Sequence, residues 1–352
     1  MKRVSISNIN NGDQLVEDVK TELGGTLFNK GITLGHREVE ILKAFLIRNV
    51  VVGAEQKEDD QQNEKEERKI INTDLMYAYE ELASFIKKVF LNATLDKLPL
   101  LEIRTNLESV ISLIDQYDIL TFDPPVSDLK DYCIQKCIKV SMTAYLIAKW
   151  IHLPQKDWVQ VALAGLLHDI GNTKVDSEIL QKAGKLSSEE LKEVRRHTIY
   201  GYNMLKEVTG INDGVKLAAL QHHERCDGSG YPLGSDKNQI HLYAKIVAVA
   251  DVFHAMTSSR NYKEKSSPFV VLEEIQEQSF GKLEPSIVHT FIKKMTEFQS
   301  GNIVKLNNNM IGEIVFYDQN NPTRPWVNVG GEIINLDQER HLYIEEFLKK
   351  QI

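Results

Sequence analysis

Residues 159–167 form an apolar run that ends on His168 and Asp169, and no other feature restricts the fold as tightly. Apart from Gln160 and Gly165 the run is mostly Val, Ala and Leu, the pattern of a helix buried on most sides. An ionised carboxylate at the end of such a helix needs a partner, because burying it alone costs several kcal/mol. The chain must supply either a hydrogen-bond network or a metal ion there.

Three other places repeat the pattern. His197 shares a helical stripe with Leu191, Val194, Gly201 and Leu205; His222 and His223 follow the apolar residues 217–220; Asp251 is the one charge in residues 246–253. Taken singly, each has an ordinary reading, a hydrogen-bonded core histidine or an aspartate that caps a neighbouring helix. Together they would bury the imidazoles of His168, His197, His222 and His223 and the carboxylates of Asp169 and Asp251 without matching cations. Metal coordination satisfies all of them at once. His and Asp donors without cysteine suit iron or manganese best, with zinc, nickel and magnesium as alternatives. The set exceeds the four ligands of a closed structural zinc site and favours two divalent metal ions bridged by a carboxylate, with Asp169 as the natural bridge. Such a pair makes hydroxide at neutral pH and clamps phosphoryl oxygens. The donors point to hydrolysis and name no substrate.

The fold class expected is mainly α. A chain of 352 residues has room for two or three domains. The pattern divides it into a small α+β unit over 1–53, a charged linker over 54–72, a helical connecting segment over 73–128, a helical domain over 129–300 and a β-rich tail over 301–352. Within the first unit a strand is expected over 3–6, a helix over 36–47 and a strand over 49–52. In the helical domain one helix covers 129–152, Pro154 starts the next, and the Ser187/Glu190 capping box opens a long helix that Gly210 closes. Further helices are read over 213–224 and 240–257, and strands over 303–306, 312–316, 326–329 and 332–334. A net charge of −8 argues against generic binding of DNA or of an anionic membrane. The three cysteines form no CxxC pair, and no apolar run approaches the roughly 20 residues of a membrane span. A cytoplasmic protein is expected.

Four stretches together resemble the HD-GYP family: His168-Asp169; His197; residues 222–232, which read HHERCDGSGYP; and residues 249–263, from Val249 through Asp251 to Lys263. That family is a branch of the HD-domain phosphohydrolases whose members hydrolyse cyclic di-GMP. The match covers residues 130 to 300, roughly half of the chain. It implies an all-helical domain, a di- or trinuclear metal centre, and attack of metal-bound hydroxide on a phosphodiester to give pGpG or GMP. Carried over by position, His168, Asp169, His197, His222, His223 and Asp251 are the metal ligands. Arg260 and Lys263 match residues that hold the dinucleotide, and Gly228, Gly230, Tyr231 and Pro232 match the signature loop, which places Gly230, Tyr231 and Pro232 at the substrate. A signalling protein as partner and a homodimer are also expected.

Two departures fall at the chemistry. The family's first ligand, a histidine, aligns with Lys136, whose ammonium has no lone pair to offer. The lysine that usually follows the His-Asp pair is Asn172, with Lys174 two residues further on; Asp169, Asn172 and Lys174 are thus the candidate catalytic residues. His254 stands where an aspartate is common. Three functions stay open: a metal-dependent cyclic di-GMP phosphodiesterase, a weakened HD-GYP domain that senses the nucleotide or docks a partner, and a hydrolase of another phosphoester.

Overall fold

The computed structural model describes all residues except 1, 7, 8, 11, 21–25, 46, 48, 54–59, 93–97, 127, 183, 259–265, 298–300, 319, 320 and 350–352, together with the backbone alone at 2, 26, 37, 60–73, 129, 130 and 349. It separates into two compact units, Met1–Glu66 with Thr296–Ile352, and Glu67–Met295.

The first unit joins both ends of the sequence. Its N-terminal part holds β1 (Lys2–Ser5), β2 (Gln14–Leu15), β3 (Val19–Lys20), β4 (Thr26–Phe28), α1 (His36–Ala44) and β5 (Asn49–Gly53), with sheet orders β1-β5-β2 and β3-β4. Its core of Leu27, Leu34, Leu42 and Val50 also includes Ile303 from the C-terminal part.

α2 (Asp60–Leu91), all but its first turns in the second unit, and α3 (Leu100–Ser112) lead into the helical domain. Residues 60–72 of the expected linker belong to α2. There follow α4 (Leu129–Trp150), α5 (Gln155–Leu167), a 3-10 turn at Ile170–Lys174, α6 (Ser177–Leu180), α7 (Ser188–Arg195), α8 (His197–Leu205) and α9 (Asp213–Gln221). The last three are α10 (Leu242–Thr257), α11 (Pro268–Gln278) and α12 (Pro285–Met295). The tail returns to the first unit as an antiparallel sheet of β6 (Ile303–Leu306), β7 (Ile311–Phe316), β8 (Trp326–Val329), β9 (Glu332–Asn335) and β10 (Ile344–Lys349), in the order β10-β6-β7-β8-β9. β10 is an addition to the strands read from sequence.

Apolar burial holds the helical domain together. Residues 161–167 of α5 are all buried, as is most of α10, and α4 packs against both. Each Leu or Ile removed from water there contributes about 1.5–3 kcal/mol. The Ser141 hydroxyl on α4 donates to the Ala162 carbonyl on α5 at 2.6 Å. Asp128 caps α4 and Asn212 caps α9, each accepting a backbone N–H of the first turn.

The structure differs from the sequence reading at the helix expected to run from Ser187 to Gly210. The capping box is present, but the helix breaks at Arg196 into α7 and α8. The His197 ring takes the Val194 carbonyl at 2.6 Å and the Thr198 hydroxyl takes that of Arg195 at 3.0 Å, so side chains occupy acceptors that the backbone ladder would use. Leu191, on the expected stripe, is 42% exposed.

Gly171 sets the spacing of the site. Its 3-10 turn lies directly on the first turn of α8, and a Cβ at Gly171 would overlap the His197 carbonyl oxygen and the Gly201 nitrogen. Gly171→Ala is therefore expected to lower stability by about 1–3 kcal/mol, read from urea unfolding, because backbone has to move. An unchanged midpoint would contradict this packing.

Candidate metal centre

The imidazoles are aimed by tethers within their own helical turns. The Nδ1 atoms of His168, His197 and His222 lie 2.7, 2.6 and 3.0 Å from the carbonyl oxygens of Gly165, Val194 and Ala218. A carbonyl only accepts, so each Nδ1 carries hydrogen and each Nε2 faces the interior. In sequence this needs only a histidine three or four residues after a carbonyl near a helix end.

His197 and His222 gather around one oxygen of Asp169, and His223 lies beside them. Asp169 Oδ1 is 3.4 Å from His197 Nε2 and 3.7 Å from His222 Nε2, and the two nitrogens are 3.3 Å apart. Ligands at about 2.1 Å from a single ion lie about 3.0–3.5 Å from one another, so the spacing fits coordination. One donor atom from each of Asp169, His197, His222 and His223 falls within 4.8 Å of all the others. Burial lowers His197 to about 4, and burial followed by the His222 ring holds His223 well below the usual imidazole range. With Nδ1 committed to carbonyls, His197 and His222 turn inward ring nitrogens toward each other, where one ion could take a lone pair from each. The chemistry and spacing of these donors fit one divalent ion.

The other oxygen of Asp169 faces a different arrangement. Lys136 Nζ on α4 is 2.8 Å from Asp169 Oδ2 and 2.7 Å from Asp251 Oδ1. His168 Nε2 is 3.2 and 3.4 Å from the same two oxygens, within ion-pair reach but aligned for a hydrogen bond with neither. Burial alone would discharge Lys136, but Asp169 and Asp251 together hold its ammonium well above the usual range. The same carboxylates overcome burial at His168 and lift it to about 9. Two cations and two anions thus neutralise one another. Asp251 and His168 belong to this quartet and lie apart from the group around Asp169 Oδ1.

The signature loop builds one wall. Glu224 is buried, and its carboxylate accepts the N–H of Leu233 at 2.7 Å and of Ser235 at 2.9 Å. Gly230 lies against the backbone of 223–225, where a Cβ would overlap His223 O, Glu224 Cα and Arg225 N. This sets Tyr231, followed by Pro232, with its ring stacked on His223 at 4.7 Å between centroids. The Arg195 guanidinium lies over the outer face of Tyr231, 4.9 Å from its centroid. Arg195 was not among the residues singled out from sequence; as an exposed charge in a charged helix it carried no signal. Asn172 is half-buried on the 3-10 turn and Lys174 is exposed. Arg260 and Lys263 lie outside the described residues. His254 bonds Thr143 Oγ1 at 2.7 Å in the core, behind the site.

Residues 121–287, just under half of the chain, match the HD domain family model, and it is these residues that close around the His-Asp pair and the further inward histidines. The HD-GYP resemblance holds across curated relatives. A cyclic di-GMP phosphodiesterase of Pseudomonas aeruginosa, PA4108, is 35% identical over 185 residues, 53% of this chain and 44% of that protein. A cyclic di-GMP phosphodiesterase of Thermotoga maritima is 33% identical over 220 residues, 62% of this chain and 57% of that protein. The 3'3'-cGAMP-specific phosphodiesterase 1 of Vibrio cholerae is 30% identical over 201 residues, 57% of this chain and 45% of that protein. The chain spans about half the length of the curated relatives it matches. Among the described residues no helix is long and apolar enough to cross a membrane.

Glu224→Ala is expected to cost about 2–4 kcal/mol in urea unfolding, since it strips a charged acceptor from two loop amides. Limited proteolysis should open first within residues 228–235; protection equal to that of the unaltered chain would show that the loop does not depend on Glu224.

Proposed function

We propose that this HD domain is a metal-dependent phosphodiesterase that hydrolyses a cyclic dinucleotide, cyclic di-GMP foremost, to pGpG or GMP. The observation that carries this reading is the group of His197, His222, His223 and Asp169 Oδ1 at the spacing of ligands on one ion, bordered by an aromatic and guanidinium wall. When bound, a divalent ion there supplies the Lewis acidity that makes water a nucleophile at neutral pH. Iron or manganese suits the donors. Asp169 orients the centre with one carboxylate oxygen while Lys136 neutralises the other. Tyr231, its faces covered by His223 and Arg195, offers its edge and hydroxyl to the substrate, and Arg195 offers paired N–H donors to a phosphate. Arg260 and Lys263 are assigned to the nucleotide by their positions in the family motif. Asn172 can donate a hydrogen bond to the leaving group but carries no proton to give it, so Lys174 is the nearer candidate for that task.

A second reading, a cyclic dinucleotide sensor that has lost turnover, is favoured by the same two departures, Lys136 and Asn172. Losing a general acid or a phosphate clamp typically lowers rates by about 10²- to 10⁴-fold. The test is to load the purified full chain with Mn²⁺ or Fe²⁺ and follow cyclic di-GMP and 3'3'-cGAMP by chromatography beside Asp169→Ala. Formation of pGpG or GMP, lost in the variant, is expected. Tight nucleotide binding without product would establish the sensor, and preferred cleavage of 3'3'-cGAMP would move the substrate assignment. Arg195→Ala is expected to raise KM about 10-fold with kcat nearly unchanged, as for a group that binds ground and transition states alike. A fall in kcat at constant KM would instead place Arg195 in the chemical step.

A further inference from the structure

We infer that the centre holds one divalent ion rather than a pair, and that the Lys136 ammonium stands where a second ion would sit. The inference rests on reading the group around Asp169 Oδ1 as a metal site, but concerns what lies on the other side of that carboxylate.

Three groups carried over as metal ligands, His168, Asp169 and Asp251, converge on a common point. Asp169 Oδ2 and Asp251 Oδ1 are the two oxygens nearest to it, His168 Nε2 lies 3.2 and 3.4 Å from them, and Lys136 Nζ lies 2.8 and 2.7 Å from the same two atoms. An ion bound to both oxygens at about 2.1 Å would fall inside contact distance of that nitrogen. Lysine and ion therefore exclude each other. The lysine has little room to withdraw, since its side chain is only 12% exposed and α4 is packed on α5 and α10. Withdrawal would also leave two buried carboxylates with only His168 as counter-charge.

The electrostatics agree with the geometry. Asp169 is shared between a fixed cation at Oδ2 and the histidine group at Oδ1, so it still bridges two positive charges, of which the chain itself supplies one. Adding a second dication would put it beside an ammonium at a separation where like charges repel strongly. The competing arrangement is a second ion drawn to Cys137, whose thiol lies with donors of His168 and Asp169 within 4.8 Å.

The test is a metal count with a spectrum, independent of turnover. The full chain is stripped of metal, titrated with Mn²⁺, and read by elemental analysis and electron paramagnetic resonance. The expected result is one Mn²⁺ per chain, bound in a single step, with the six-line signal of an isolated ion. Lys136→His should take up a second Mn²⁺ and show an exchange-coupled signal, while Lys136→Arg, which keeps the cation, should stay at one. Two ions or a coupled signal in the unaltered chain would overturn the inference. A folded Lys136→His that still binds one would overturn the claim that the lysine is what excludes the second. Should Lys136→His fail to fold, the count on the unaltered chain decides alone. No bound Mn²⁺ at all would sink the metal reading itself and this inference with it, and absent phosphodiesterase activity with one bound ion would sink only the proposed reaction.

Discussion

Two carboxylates inside a helical core set the terms for this domain. Asp169 and Asp251 arise from different helices and both point into a region walled by α4, α5, α8 and α10, where an unpaired charge is expensive. The structure answers Asp251 with a buried lysine and the His168 ring, and shares Asp169 between those two and the imidazoles of His197 and His222. Packing precision elsewhere follows from this demand. The 3-10 turn can bring Asp169 to His197 only because residue 171 has no side chain, and the signature loop can bring Tyr231 to His223 only because residue 230 has none.

Much of this was legible in the sequence, and the parts that were not have a common cause. A polar side chain on an otherwise apolar face stands out, so His168, Asp169, His197, His222, His223 and Asp251 could be gathered before any coordinates. Periodicity reports which face is buried but not which neighbour it meets. It therefore treated the histidines and both aspartates as one set, whereas the geometry splits them at the two oxygens of Asp169. Arg195 escaped notice because its neighbours Lys192, Glu193 and Arg196 are also charged, and its stacking on Tyr231 depends on a loop some thirty residues away in sequence.

The break between α7 and α8 shows local chemistry overriding pattern. The apolar stripe continues through Arg196, yet His197 and Thr198 turn back onto the carbonyls before them. The union of the two chain ends into one unit, with Ile303 in the core of the N-terminal strands, is likewise invisible to a reading that proceeds along the chain. Strand β10 alternates weakly, with Glu345 and Glu346 adjacent, and is held by pairing with β6.

The tethers of the imidazoles reach no further than one helical turn. The aim of His168, His197 and His222 is set by a carbonyl three or four residues earlier, so these rings do not rely on any other ligand being present. Positions around the centre are then free to change one at a time. A single replacement at residue 136 can exchange an imported cation for one encoded in the chain while the helices stay as they are. Built this way, a metalloprotein can vary its dependence on metal supply through point changes, without passing through an unfolded intermediate in its evolution.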